Sequence, residues 1–177
     1  MRYAGIIPDD TAAAPGLCFS FYVQGCPIHC DGCQNPQTWD ENGGYEFTNQ
    51  TLDKIIKGIG ANDFTRNFCI LGGEPLAPNN LFLTAMVLNE VRKYYPDIDV
   101  WIWTGYEIED LLHNDNVHLK NILTSINGLV CGPFIKAQRD ITLPYRGSTN
   151  QRLFLFDTEK KLWYNKENKE ERYKING

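Results

Sequence analysis

Three cysteines fall within eight residues, in the run Gly25-Cys26-Pro27-Ile28-His29-Cys30-Asp31-Gly32-Cys33. Their spacing is C-x3-C-x2-C. Thiolates on so short a loop can converge on one iron–sulfur cube. Three protein ligands for four irons leave one iron open, and a small molecule can chelate it there. Zinc is the other chemistry such a loop serves, but zinc wants a closed tetrahedron of four ligands. His29 or a distant cysteine would have to supply the fourth. Paired C-x2-C knuckles are the usual zinc pattern, and this chain has one. On the spacing alone both metals stay open. Of the other cysteines, Cys18 and Cys69 lie in apolar segments and read as small buried hydrophobes. Cys131 divides evenly between that reading and a place on the active face.

The elements that must position this loop can be read from pattern. Cys18–Val23 is rich in aromatic and β-branched residues and predicts a strand, ended by Gly25 and Pro27. Thr48 predicts an N-cap for a helix over about 50–60, with Leu52, Ile55, Ile56 and Ile59 at helical spacing. A second strand over 68–71 runs into Gly72-Gly73-Glu74-Pro75. Asn79 or Asn80 should cap a long helix whose stripe is Leu83, Met86, Val87, Leu88 and Val91, stopped before Pro96. A third strand over 98–103 ends at Thr104-Gly105, and two helical stretches follow, over 107–113 and Val117–Ser125. Gly128–Cys131 predicts a fourth strand before Gly132-Pro133.

Strand and helix alternate, which predicts an α/β fold with a parallel sheet and right-handed crossovers. Ligands then bind at the C-terminal strand ends. Four such ends carry unusual loops, so all four should face one side. A complete eight-fold barrel takes about 250 residues. This chain of 177 residues can make only an open, partial (β/α) barrel. Residues 1–155 read as one domain. The segments around 152–156 and 162–164 read as a C-terminal hairpin, and 166–177 as a polar, mobile tail.

Lys and Arg number 17 against 22 Asp and Glu, a net charge of −5. That balance argues against a protein driven by nucleic-acid phosphates. No apolar run approaches the ~20 residues of a membrane span. Met1-Arg2-Tyr3-Ala4-Gly5 starts no secretory apolar region, so the expected compartment is the cytoplasm. Six cysteines in reducing surroundings point to metal or catalysis rather than disulfides.

The cysteine loop after an early strand, followed by Gly72-Gly73-Glu74-Pro75 after the next, resembles the radical S-adenosylmethionine superfamily. Thr38-Trp39, Trp101-Ile102-Trp103-Thr104-Gly105-Tyr106, Gly132-Pro133-Phe134 and the run from Arg146 to Arg152 extend the resemblance. Together they resemble the activating proteins of anaerobic ribonucleoside-triphosphate reductases. The likeness covers about residues 1–155. Gly32 stands where the superfamily often carries an aromatic, which suits the activating-protein group; Cys131 departs from that group's usual Asp, and Ala14-Pro15-Gly16 from the Asn-Gly-Pro-Gly that many of these proteins carry.

The resemblance implies a [4Fe-4S] cluster on Cys26, Cys30 and Cys33, with S-adenosylmethionine on the open iron. An external electron donor reduces the cluster, the sulfonium is cleaved, and a 5′-deoxyadenosyl radical takes a hydrogen from a glycine of the reductase large subunit. Gly72, Gly73, Glu74, Pro75, Trp103, Thr104 and Asn35 are the implied contacts to S-adenosylmethionine. Glu74 is expected to meet its ammonium group, and the two glycines to let a ligand approach the backbone. Trp101 and Trp103 are expected to face opposite sides, one toward the core and one toward the site. His29 reads as a loop residue tuning the cluster. Arg146 to Arg152 reads either as a plain loop or as a docking segment. Two other functions compete: activation of another glycyl-radical enzyme such as pyruvate formate-lyase, and a zinc-stabilised interaction domain.

Overall fold

The computed structural model describes residues 1–175. Nine strands form one sheet in the order β3-β1-β2-β4-β5-β6-β7-β8-β9. Four parallel strands make its centre: β2 (Cys18–Val23), β4 (Asn67–Gly72), β5 (Val100–Trp103) and β6 (Gly128–Cys131). These are the four strands that the alternating pattern predicts. Antiparallel strands flank them. β1 (Arg2–Asp10) and β3 (Tyr45–Glu46) lie on one side, and β7 (Arg152–Asp157), β8 (Leu162–Asn165) and β9 (Arg172–Lys174) on the other. The fold is therefore mixed α/β, and its C-terminal hairpin continues the main sheet.

Two strands at the N-terminal side escape the pattern. β1 contains Gly5 and Pro8, and its pairing with β2 is broken by two register shifts. Its neighbour β3 covers only Arg2 and Tyr3, so Pro8 sits where no outer strand needs its missing N–H. The tail also differs from expectation. Arg172–Lys174 pairs with β8, and the Tyr173 ring packs on Phe154 at 5.8 Å. Polar composition hid this strand, because what places it is backbone pairing with β8 and one aromatic contact rather than an apolar run. Asn176 and Gly177, the end of the expected mobile tail, lie outside the described residues.

Helices α1 (Asn49–Ile59), α2 (Leu81–Tyr94), α3 (Ile108–Leu112) and α4 (Val117–Ser125) pack on one sheet face. Thr48 caps α1 as expected, in a reciprocal box with Thr51. Phe68, Ile70, Val100, Ile102, Leu129 and Cys131 point from the strands into this helical layer. The alternate residues Cys69, Trp101 and Val130 point the other way, into a smaller core with Cys18, Ala14 and Leu153. Residues two apart on a strand share a face. Trp101 and Trp103 accordingly lie together, with ring centroids 6.2 Å apart, and not on opposite sides as expected. Trp101 fills the small core, and Trp103 continues along the same face toward the strand end.

Candidate functional site

A cavity of about 560 Å³ opens at the C-terminal ends of the parallel strands. Each of the four strand-end loops reaches it. Cys26, Cys30, Cys33 and Asn35 come from the loop after β2, and Gly72, Gly73 and Glu74 from the end of β4. Trp103, Thr104 and Gly105 come from β5, and Gly132 and Phe134 from β6. All the expected contact residues therefore line one cavity, except Pro75. Its carbonyl oxygen instead accepts the Thr84 hydroxyl at 2.8 Å, behind the wall.

The cysteine loop is tied at its root. Gly25, at φ +92°, turns the chain out of β2, a conformation that costs glycine little. The N–H groups of Gly25 and Cys26 donate to the carbonyls of Thr38 and Trp39 at 2.8 and 3.1 Å, which closes the loop. The Gly25 carbonyl oxygen accepts two donors from the next strand end, the Glu74 N–H at 2.9 Å and Asn80 Nδ2 at 3.0 Å. Asn80 is the N-cap residue of α2, as the sequence predicts. Its side chain makes no cap bond and pins the cysteine loop instead.

The two glycines serve the same strand end. A Cβ on Gly73 would lie 2.5 Å from the Gly25 oxygen, and one on Gly72 2.9 Å from the Tyr22 backbone. The smallness of Gly72 lets the end of β4 lie against β2, and that of Gly73 lets it close on the root of the cysteine loop. Gly105 completes the packing, since a Cβ there would lie 2.4 Å from the Ile28 side chain.

Glu74 is only 1% exposed. Its Oε1 accepts from the Leu76 N–H at 3.0 Å and the Thr104 hydroxyl at 2.8 Å, and its Oε2 from the Gly105 N–H at 2.7 Å. Burial pushes its carboxyl up to about 7, against the pull of those three donors. The side chain thus braces the β4 end to the β5 end.

The sulfurs face backbone donors. The Asn35 N–H points at Cys33 Sγ at 3.3 Å. Burial raises the thiols of Cys26 and Cys30, and backbone N–H groups oppose it, those of Ile28 and His29 at Cys26 and that of Phe134 at Cys30. His29 is exposed, adopts φ +51°, and stacks on Trp39 at 4.7 Å. Among the described residues, no three His, Cys, Asp or Glu side chains gather to hold a single metal ion.

Cys131 does not reach the cavity. Its side chain is fully buried in the helical core, and burial pushes its thiol up to about 12. Trp39, Tyr145, Arg146 and Gln151 line the cavity as well. Their common signal was position, after β2 or between β6 and β7.

Residues 12–154 match the family model described as a 4Fe-4S single cluster domain. The chain is similar to the anaerobic ribonucleoside-triphosphate reductase-activating protein of Vibrio cholerae, 34% identical over 157 residues, 88% of this chain and 99% of the relative. The protein of that name from Escherichia coli is 34% identical over 152 residues, 85% of this chain and 96% of the relative. That of Enterobacteria phage T4 is 30% identical over 154 residues, 87% of this chain and 94% of the relative. With a family model spanning most of the chain and relatives matched nearly end to end, this chain belongs to the 4Fe-4S single cluster domain family and, within it, to the anaerobic ribonucleoside-triphosphate reductase-activating proteins.

Proposed function

We propose that this chain is a radical S-adenosylmethionine enzyme that activates an anaerobic ribonucleoside-triphosphate reductase by forming a glycyl radical on its large subunit. One observation carries the reading. Three cysteines on one tied loop line a cavity walled by the Gly-Gly-Glu and Thr-Gly strand ends, in a chain whose relatives bear that activity in their name.

The donor set fits a [4Fe-4S] cluster. Three thiols line one wall, and backbone N–H groups face them, which suits an anionic thiolate-held cluster. Zinc draws its ligands to about 2.3 Å of one ion. A cube spreads its thiolates over separate irons, and the match to a 4Fe-4S single cluster domain favours it. When bound and reduced by an external one-electron donor, the cluster supplies the electron that splits S-adenosylmethionine into methionine and a 5′-deoxyadenosyl radical, which takes hydrogen from the target glycine.

The protein's own part is placement. Gly25, Gly73 and Asn80 hold the cysteine loop against β4. Glu74 fixes the Thr104–Gly105 turn that forms the next wall. Thr104 and Trp103 then offer contacts to ribose or to the methionyl group. The sheet reads as an open partial barrel, and its open side admits a peptide loop from the reductase. Among the described residues no helix is long and apolar enough to cross a membrane. A reducing cytoplasm suits a chain whose six cysteines are thiols.

The test is anaerobic. The chain is reconstituted with iron and sulfide, reduced with dithionite and given S-adenosylmethionine. 5′-Deoxyadenosine and methionine should both form, and substitution of Cys26 and Cys30 by Ala should abolish both. Zinc binding without iron, and no cleavage, would overturn the reading. Co-purification with a large reductase chain tests the partner.

A further inference from the structure

Arg146 lies between β6 and β7, on the cavity wall. Its side chain is 4% exposed, so it cannot serve as a docking contact on the surface. Nη2 pairs with Glu167, in the turn between β8 and β9, at 2.5 Å. Nε and Nη1 are buried with no acceptor among the described residues. Buried charged nitrogens without acceptors are costly, and a fold keeps them where another group completes them.

The cavity says which group. Arg146 is the one Lys or Arg among the described residues that line it. S-Adenosylmethionine carries two positive groups, the sulfonium and the ammonium, and a single negative one, the carboxylate. Glu74, which also lines the cavity, is already occupied by three protein donors. One cationic side chain with unfilled donors thus faces a ligand with one anionic group. A guanidinium–carboxylate contact is charge-assisted and geometrically specific.

We propose that Arg146 binds the carboxylate of S-adenosylmethionine, with the tail residue Glu167 holding the guanidinium from outside. The proposal rests on the reading of the cavity as an S-adenosylmethionine site and adds a residue to it. It also gives the C-terminal strands a part in the site, because the turn that carries Glu167 is placed by β8 and β9.

The test is binding without turnover. Anaerobically reconstituted full-length chain, left unreduced, is titrated calorimetrically with S-adenosylmethionine and with its decarboxylated analogue. Wild type should prefer S-adenosylmethionine. Arg146→Gln should weaken it by about 10–100-fold, the worth of a charged hydrogen bond, and leave the analogue unchanged. Arg146→Lys keeps the charge and most of the stem, and should retain part of the preference. It carries the test if the Gln variant does not fold. Equal weakening of both ligands, or of neither, overturns the assignment. So does an unchanged preference accompanied by a shifted cluster reduction potential, since the guanidinium would then answer to the cluster. If neither ligand binds the wild-type chain, the S-adenosylmethionine reading falls, and the role of Arg146 with it.

Discussion

Gly73 stands so close to the Gly25 carbonyl that a methyl group on it would lie 2.5 Å from the oxygen. The contact joins the end of β4 to the root of the cysteine loop, and the neighbouring Glu74 N–H bonds the same oxygen at 2.9 Å. The obstacle is backbone, so no side-chain rotation can relieve it. Gly73→Ala should cost about 1–3 kcal/mol, as overpacking does. It should also lower the iron retained per chain after reconstitution. Thermal unfolding and iron analysis check both. Normal iron loading in a destabilised variant would show that β4 does not position the cysteines.

Glu74 bonds three protein donors while only 1% exposed. Glu74→Gln keeps the shape but turns an acceptor into a donor facing N–H or O–H groups. One buried donor is then left unmade, at about 1–3 kcal/mol. Thr104→Val removes one of the three donors and leaves the others. The double variant should cost less than the sum of the single ones, because both act on one bond. Strict additivity in denaturant unfolding would mean that Glu74 does not hold Thr104.

Much of this site was legible because the parallel strands are short apolar runs, each closed by glycine at the end that carries a loop. That pattern fixes Cys18–Val23, Gly128–Cys131 and the cavity residues together. What glycine does there was not legible. Gly72 and Gly73 make room for neighbouring backbone, a relation between segments some 50 residues apart that no local pattern encodes. Asn80 is legible as the N-cap of α2 because caps are local, whereas its side-chain bond to Gly25 spans 55 residues. The strand at Arg172–Lys174 and the burial of Arg146 were not legible for a similar reason: they follow from contacts far along the chain, Tyr173 with Phe154 and Glu109, and Arg146 with Glu167.

Cys131 and Cys33 should respond oppositely to substitution. Cys33 lines the cavity and its sulfur accepts the Asn35 N–H, while Cys131 is buried among core residues. Cys131→Ala should cost stability through the cavity it leaves, with iron content unchanged. Cys33→Ala should abolish iron loading and shift the unfolding of the iron-free chain little. Iron loss in the Cys131 variant would return that residue to the site.

Arg152 gathers Glu107, Glu109 and Glu171 at 2.5–2.7 Å, joining β7 to α3 and to the chain just before β9. The Tyr173 hydroxyl adds a bond to Glu109. The Arg152 guanidinium holds the Glu109 carboxyl down at about 2, from an ordinary value of 4.5. A carboxyl lowered on folding contributes stability that is fully present above its unfolded value and is lost as pH falls toward the folded one. The loss should therefore run between about pH 4.5 and 2. Glu109→Gln should be less stable than wild type at pH 7 and should lose less on acidification, so that the two curves converge near pH 2. Its half-exposed position keeps the effect modest, and added salt should shrink it. Denaturant unfolding at pH 7, 4 and 3 measures the convergence, with the Trp163 environment of β8 as the optical probe. Parallel curves would mean that Arg152 does not hold Glu109.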